Sequence, residues 1–471
     1  MLSTSWIHTA ALGGALSALL TLSAAAAEWH VTATGTKEGD GSEKAPWDIQ
    51  TAMLQPASVK PGDTIWVHGG TYVPDGAVRV HLQGEKDKPI IVRNWKNERV
   101  TVNAPLDIAS SEQIPTKYCW IWGLEIQTAG TKNHGNPMNI GNSNFPAGSN
   151  PGIKIINCIA HDCGNNGLGC WGSSEEEVYG NIIYYNGIDG DLKNPDERGH
   201  GHGFYIQSKT HKEFIDNIVF RQFFLGFQIY GTAAPYFENV TMQGNTFFNN
   251  GEVSLIQGKR KEFPEIYVGA GRTIVNPKLI ENYVYTPAWA VKGSNNMGNT
   301  KDGLLQGNYL TSPGADKRVA LDLEVLGKNE GLVMTDNTLI GLIVGFTIDQ
   351  YGKGNVHIPD RPTTGTKIFV RKNKYEEGRA NITIFNWGKS DTVDVDVKDI
   401  GLKEGDSYEL RDVQNYFEKP VVTGKYDGKP ITIPMTGLTV APMIGRAPEY
   451  VTPPHTSPEF GAFVIMLQEH R

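Results

Sequence analysis

The chain has 471 residues, with Lys+Arg 43 set against Asp+Glu 51 and a formal net charge of -8. That balance excludes the basic face needed to neutralise a phosphate backbone, so nucleic acid is not an expected partner. Charged residues at 20%, aromatics at 10% and 54 glycines exclude an intrinsically disordered chain and fit a turn-rich β protein.

Residues 10–27 form a short apolar stretch ending in small residues, with Ala25-x-Ala27 ahead of Glu28 and Trp29. This reads as a signal peptide over residues 1–27, although no Lys or Arg precedes the apolar run. The stretch is short for a membrane span and no second one follows, so the expected location is secreted or periplasmic with no membrane partner. Residues 47–55 predict a short helix ended by Pro56 that covers the first repeat. Strand-like segments follow at 64–67, 90–93 and 120–126. Cys119, Cys158, Cys163 and Cys170 lie close together in the chain. They fit one or two disulfides of an oxidising compartment, or buried thiols, since Cys170 alternates with Leu168. No CxxC or paired His spacing is present, so no zinc-type metal site is expected.

From residue 157 an asparagine followed two positions later by an apolar or aromatic residue recurs at Asn157, Asn181, Asn217, Asn245, Asn282, Asn308, Asn337 and Asn373, spaced 24 to 37 residues apart. The units also carry alternating β-type residues, as at 226–230 and 319–324, which excludes heptads and helical repeats. The pattern describes coils stacked in a solenoid, each burying inward side chains against its neighbours. An Asn amide both donates and accepts, so asparagines in register form an internal ladder. Insertions at 131–151, 187–201 and 258–272 are expected to project from turns and wall a groove. Beyond Tyr375 the alternation changes to Ile382, Ile384, then Val393, Val395, Val397, then Ile431, Ile433, then Phe463, Ile465, Leu467. This predicts an antiparallel β-sandwich over 376–471, expected to cover the open end of a solenoid at 28–375.

The Asn repeat, together with Asp40-Gly41-Ser42, Pro46-Trp47 and the run Lys60-Pro61-Gly62-Asp63-Thr64-Ile65-Trp66-Val67-His68-Gly69-Gly70-Thr71-Tyr72, resembles the right-handed parallel β-helix proteins of secreted polysaccharide lyases and related carbohydrate-active enzymes. The resemblance covers about residues 30–375. It implies an all-β, right-handed parallel β-helix solenoid with a C-terminal antiparallel β-sandwich. It also implies a monomer acting on an acidic polysaccharide or oligosaccharide. One such scaffold hosts many chemistries, so the reaction must be argued from the site.

Period-two alternation directs Leu168, Cys170, Phe204, Ile206, Phe227, Ile229, Leu321, Leu323, Phe346 and Ile348 inward. Gly169, Trp171, Tyr205, Gln207, Gln228, Tyr230, Lys292, Asp322, Glu324, Thr347 and Asp349 then point outward on coils roughly 4.8 Å apart. Trp171, Tyr205 and Tyr230 can stack on the C–H faces of sugar rings. Lys209, His211, Lys212, Lys259, Arg260 and Lys261, with Arg272 and Lys292, read either as a solvated rim or as a site for a carboxylated or sulfated sugar. In Gly199-His200-Gly201-His202-Gly203 the glycines allow a tight turn and His can move a proton near neutral pH. His202 has inward parity and reads equally as a satisfied corner residue. Asp189, Asp191, Asp196 and Glu197 could hold Ca²⁺, but the spacing of a complete calcium loop is missing and a solvated acidic loop is the other reading; no cofactor is required.

The leading reading is β-elimination on a uronic-acid polysaccharide, as the resemblance implies. Lys259, Arg260 or Lys292 would neutralise the carboxylate, His200 or His202 would abstract the C5 proton, and Tyr205 or Tyr230 would donate. Trp171, Gln207, Lys209, Gln228, Tyr230 and Lys292 would bind substrate. Glycoside hydrolysis is the alternative, using Asp322 and Glu324, whose Cα atoms lie roughly 6.6 Å apart on a strand. Gly199-His200-Gly201 is similar to a polygalacturonase motif, but the acidic pairs that accompany it there have no match at 169, 171, 205 or 207. Uronate epimerisation shares the first step of the lyase. A non-catalytic polysaccharide-binding solenoid is the remaining reading, and Gly-flanked histidines favour an enzyme over it.

Overall fold

A computed structural model describes residues 26–109, 115–128, 135–189, 200–229, 237–255, 264–269, 271–286, 295–312, 319–324 and 327–468. Each coil passes in turn through three parallel sheets. Sheet I has 11 strands, from Glu28–Val31 to Val333–Thr335; sheet II has 11, from Gly70–Tyr72 to Val356–Ile358; sheet III has 10, from Val78–Val80 to Leu342–Val344. Inward residues of all three sheets form one continuous core from Val31 to Leu339. A short helix, Ile49–Met53, covers the first coil, and its Asp48 cap accepts a hydrogen bond from the Thr51 N–H.

The turn from sheet I to sheet II sets the geometry of every coil. Its first residue is left-handed at Gly123, Asn157, Gly180, Asp216, Gly244, Glu281, Gly307, Asp336 and Gly354, with φ from 50 to 78°. The next residue forms the ladder: Asn181, Asn217, Asn245, Asn282, Asn308 and Asn337 each donate their backbone N–H and Nδ2 to the side-chain oxygen of the following rung, and Asn355 ends the series. Their amides also donate to a carbonyl of the preceding coil, as Asn245 Nδ2 does to Phe214 O at 2.8 Å. Two of the expected rungs fall elsewhere. Asn157 stands one position early, in the left-handed column that Asn tolerates. Asn373 lies outside the stack and donates from the C-terminal segment to Asn157 Oδ1 at 3.0 Å.

Cysteines complete two such columns. Cys158 is in register with Asn181 and Cys163 with Asn186, and their thiols point at Ile121 O and Ile126 O, carbonyls of the coil before. The four cysteines are free and buried, so the disulfide alternative does not hold. Burial pushes the Cys158 and Cys163 thiols up to about 12, which keeps them protonated. Lys212, expected in a solvated basic turn, is instead inside the core, where its Nζ meets Glu176 Oε2 at 2.8 Å and Ser174 O at 2.7 Å. Phe346 and Ile348 lie beyond the last strand of sheet III and only partly cover the end of the core.

Antiparallel structure begins at Lys367, ahead of the expected boundary. A five-stranded sheet, Lys367–Lys372, Ala380–Phe385, Phe460–Leu467, Ser407–Asp412 and Val422–Lys425, encloses a small core against a ribbon of Thr392–Val395 and Ile431–Pro434. This unit covers the outer face of sheet II rather than the open end of the solenoid. The reason is an aromatic stack on that face: Tyr184 on Phe220 at 5.1 Å and Phe220 on Phe248 at 4.7 Å, the repeat of the coils themselves. Phe385, Trp387 and Phe460 of the sandwich bury it. His161 extends the stack, 4.7 Å from Tyr184, and lies between Asp162 and Glu125. Burial opposes its charge, yet the two carboxylates outweigh burial and raise its pKa.

Asn245→Ala is expected to leave donors and acceptors of two coils unpaired and to cost about 3 kcal/mol, read as a lower thermal midpoint. Asn355→Ala, at the last and only half-buried rung, should cost clearly less. A second prediction concerns Glu265, fully buried and bonded to Asn250, whose carboxyl burial pushes well above the usual range. A raised folded-state pKa gives stability that is complete below the unfolded value and is lost as pH rises through the folded one. Thermal midpoints measured from about pH 4 to about pH 8 should therefore move in favour of Glu265→Gln over the native protein as pH rises.

Candidate functional site

Sheet III carries the face on which sequence alternation concentrates polar and aromatic residues. Its outward column runs in register through Arg79, Asp107, Asn139, Gly169, Tyr205, Gln228, Tyr267, Asn296 and Asp322. Trp171, two residues beyond Gly169, meets Tyr205 edge-to-face with ring centroids 5.8 Å apart. His202 lies nearly parallel to Tyr205, at 5.5 Å and 18°, and packs on Phe224 at 5.1 Å. Trp171, His202 and Tyr205 thus form one cluster on two adjacent coils. The inward parity of His202 fails because Gly201, at φ 145°, bends the chain just ahead of the strand. A Cβ on Gly201 would fall 2.6 Å from Gly187 Cα and 2.8 Å from Phe223 Cβ, so only glycine permits that approach.

Gly169 lets the Asn136 amide and the Trp171 ring close over the middle of the column. A Cβ there would lie 2.4 Å from Asn136 Nδ2 and 3.1 Å from the Trp171 ring. A directed chain of hydrogen bonds passes over Gly169: His202 N donates to Asn166 Oδ1 at 3.0 Å, Asn166 Nδ2 to Asn136 Oδ1 at 3.2 Å, Asn136 Nδ2 to Asn139 Oδ1 at 2.6 Å, and Asn139 Nδ2 to Asp107 Oδ1 at 3.1 Å. Asp107, Asn136, Asn139 and Asn166 escaped the sequence reading. Asn136 and Asn139 fall in the Asn-rich segment 131–151, which pointed to a loop, while Asp107 and Asn166 carried no signal. Gln228 is 4% exposed on the groove floor, and its Oε1 is a buried acceptor without a hydrogen-bond partner.

The remaining expected site residues divide. Gln207 Oε1 accepts the Ser143 hydroxyl, and Lys209 Nζ donates to Ser143 O at 2.7 Å and Phe145 O at 3.4 Å, so both hold the 142–145 turn against the edge of the sheet. His200 is exposed and exchanges backbone hydrogen bonds with Ile188. Asp322 accepts the Glu324 N–H at 2.9 Å, which ties that carboxylate to its own turn. Four strand spacings, about 19 Å, separate Asp322 from Tyr205. Tyr230, Lys259, Arg260 and Lys292 lie outside the described residues, as do Asp191, Asp196 and Glu197. Asp189 accepts from the Ser254 hydroxyl and from Leu255 N, the latter at 2.8 Å. Among the described residues no cluster of His, Cys, Asp or Glu is arranged to hold a metal ion.

Residues 29–262 match the family model described as Pel9A-like, right handed beta helix region. Comparison with curated protein sequences gives no match. Solved structures similar to this chain include pectate lyase Pel9A, at 16% identity over 70% of this chain and 79% of that chain with a TM-score of 0.41. A rhamnogalacturonan lyase is similar at 13% identity over 70% and 84% with a TM-score of 0.40, and a glycoside hydrolase at 8% over 71% and 96% with 0.45. The three stacked parallel sheets and the family match make the chain a right-handed parallel β-helix protein. No helix among the described residues is long and apolar enough to cross a membrane.

Gly169→Ala is expected to force Asn136 and Trp171 aside, costing on the order of 1–3 kcal/mol in unfolding free energy and shifting tryptophan emission. Gly135→Ala, whose Cβ would sit 3.6 Å from Pro105, should leave both unchanged.

Proposed function

We propose that this protein is a secreted polysaccharide lyase that cleaves a uronic-acid-containing chain by β-elimination on the outer face of sheet III. The observation that carries the reading is the His202–Tyr205–Trp171 cluster on the outer face of sheet III. Trp171, half-buried at the edge of the cluster, offers a ring face to a pyranose. The family match over residues 29–262 adds support.

In this reaction the sugar carboxylate must be neutralised before its C5 proton becomes acidic enough to remove. His202 takes that proton, the C4–O bond breaks as the C4–C5 double bond forms, and Tyr205 protonates the leaving oxygen. Neutralisation is assigned to Lys259, Arg260 and Lys292, which precede the strands of Tyr267 and Asn296 in the chain. In the register column only Arg79 is basic between the first strand of sheet III and Asp322, so the cation must come from its margins.

That same floor, lined by amides and carboxylates, favours hydrolysis as the second reading. Hydrolysis would release reducing ends without an ultraviolet-absorbing product. Secretion requires removal of the leader, and the fold bears on where. The Ala27 N–H donates to Asp63 Oδ1 at 2.8 Å and its carbonyl accepts from Thr64 N, so processing ahead of Ala26 preserves the first strand pairing better than processing after Ala27.

On a panel of acidic polysaccharides the native protein is expected to generate unsaturated, ultraviolet-absorbing ends. His202→Ala and Tyr205→Phe should each reduce that rate on the order of 10²- to 10⁴-fold with little change in thermal midpoint. Undiminished release from both variants would remove the pair from the mechanism.

A further inference from the structure

Between Ile431–Pro434 and Phe460–Leu467 the chain crosses residues 435–459 without regular secondary structure. This connection leaves the sandwich and runs over the corner where sheet II turns into sheet III, the rear edge of the proposed groove. Pro442, Pro448, Pro453, Pro454 and Pro458 restrict its backbone, so little entropy is lost in holding it extended.

The strap is fastened to successive coils. Ile444 N donates to Asp162 Oδ1 at 2.9 Å. Arg446 Nη2 reaches Cys163 O at 3.2 Å and Tyr185 O at 2.9 Å, while its guanidinium lies 4.4 Å over the Phe223 ring. Tyr450 packs on the same ring at 5.5 Å, and burial together with the nearby Asp189 carboxylate pushes its phenol up. Asp189 in turn binds Ser254 and Leu255 of a later coil. The residue after Phe223 is Phe224, which packs against His202.

We infer that the strap is a positioning element of the groove: through Phe223 it fixes the corner from which His202 projects, and Tyr450, set beside Asp189, braces the contact of Asp189 with Ser254 and Leu255 that joins two coils feeding sheet III. Tyr450 and Asp189 are positioning residues, since neither touches the His202–Tyr205–Trp171 cluster. The sandwich therefore has a role beyond covering the aromatic stack of sheet II. An oligosaccharide lying along sheet III would have the strap along one side, and longer chains would depend on it more than short ones.

The structural claim is tested on the full chain by amide hydrogen exchange, which requires no activity. Tyr450→Ala should accelerate exchange in peptides carrying Asp189 and Ser254–Leu255 and leave the sheet I strand Ser174–Tyr179 unchanged. Tyr450→Phe, which keeps the ring and removes only the hydroxyl, should show a smaller change in the same peptides. Equal exchange in all three proteins overturns the inference, and so does faster exchange that includes Ser174–Tyr179, which marks general destabilisation. The kinetic arm rests on the lyase reading: both variants should raise KM on polymer several-fold more than on short oligosaccharides, and an equal loss on both overturns the groove role. If the native protein cleaves nothing, the lyase reading fails while the exchange result still decides the strap.

Discussion

A one-residue left-handed turn followed by a hydrogen-bonded side chain is the constraint on which the molecule depends. It forces each coil to leave sheet I and enter sheet II at the same angle, because the ladder amide can reach its neighbour only when the backbone repeats. Once that corner is fixed, strand register in all three sheets follows and the core becomes continuous. The catalytic reading also depends on it: Tyr205, Gln228 and Tyr267 share a column only because the coils do not slip.

Each outer face then acquires a different use from its side chains. Sheet II stacks His161, Tyr184, Phe220 and Phe248, an apolar stripe too large to leave in water, and the sandwich buries it. Sheet I alternates cations with rings, as where Arg93 lies 4.1 Å over Trp122 and Lys154 4.6 Å over Trp120, and Tyr375 and Glu376 of the C-terminal segment close over these rings. Sheet III keeps half-exposed aromatics beside amides, with an unpartnered acceptor at Gln228. That contrast, rather than any single residue, directs attention to sheet III.

Period-two alternation made the solenoid and the direction of Tyr205, Gln228 and Asp322 legible, because neighbours above and below impose the same rule on every strand. It failed where glycine changes the backbone, at His202 after Gly201, and where a repeat residue stands one place off, at Asn157. Lys212 was misread because a lysine in a basic run carries no mark of its buried partner Glu176, 36 residues away in the chain. The hydrogen-bonded chain from His202 to Asp107 crosses four coils, and such a relation exists only after folding. The resting place of the sandwich was hidden for the same reason: the aromatics it covers are scattered singly through the sequence.

The most direct measurement is the crystal structure of the protein with an acidic oligosaccharide bound. The lyase reading predicts a sugar ring stacked on Trp171 with the His202–Tyr205 pair at one edge. Sugar bound only on the sandwich or on another face of the solenoid, with the Trp171–Tyr205 face bare at saturating ligand, would contradict it.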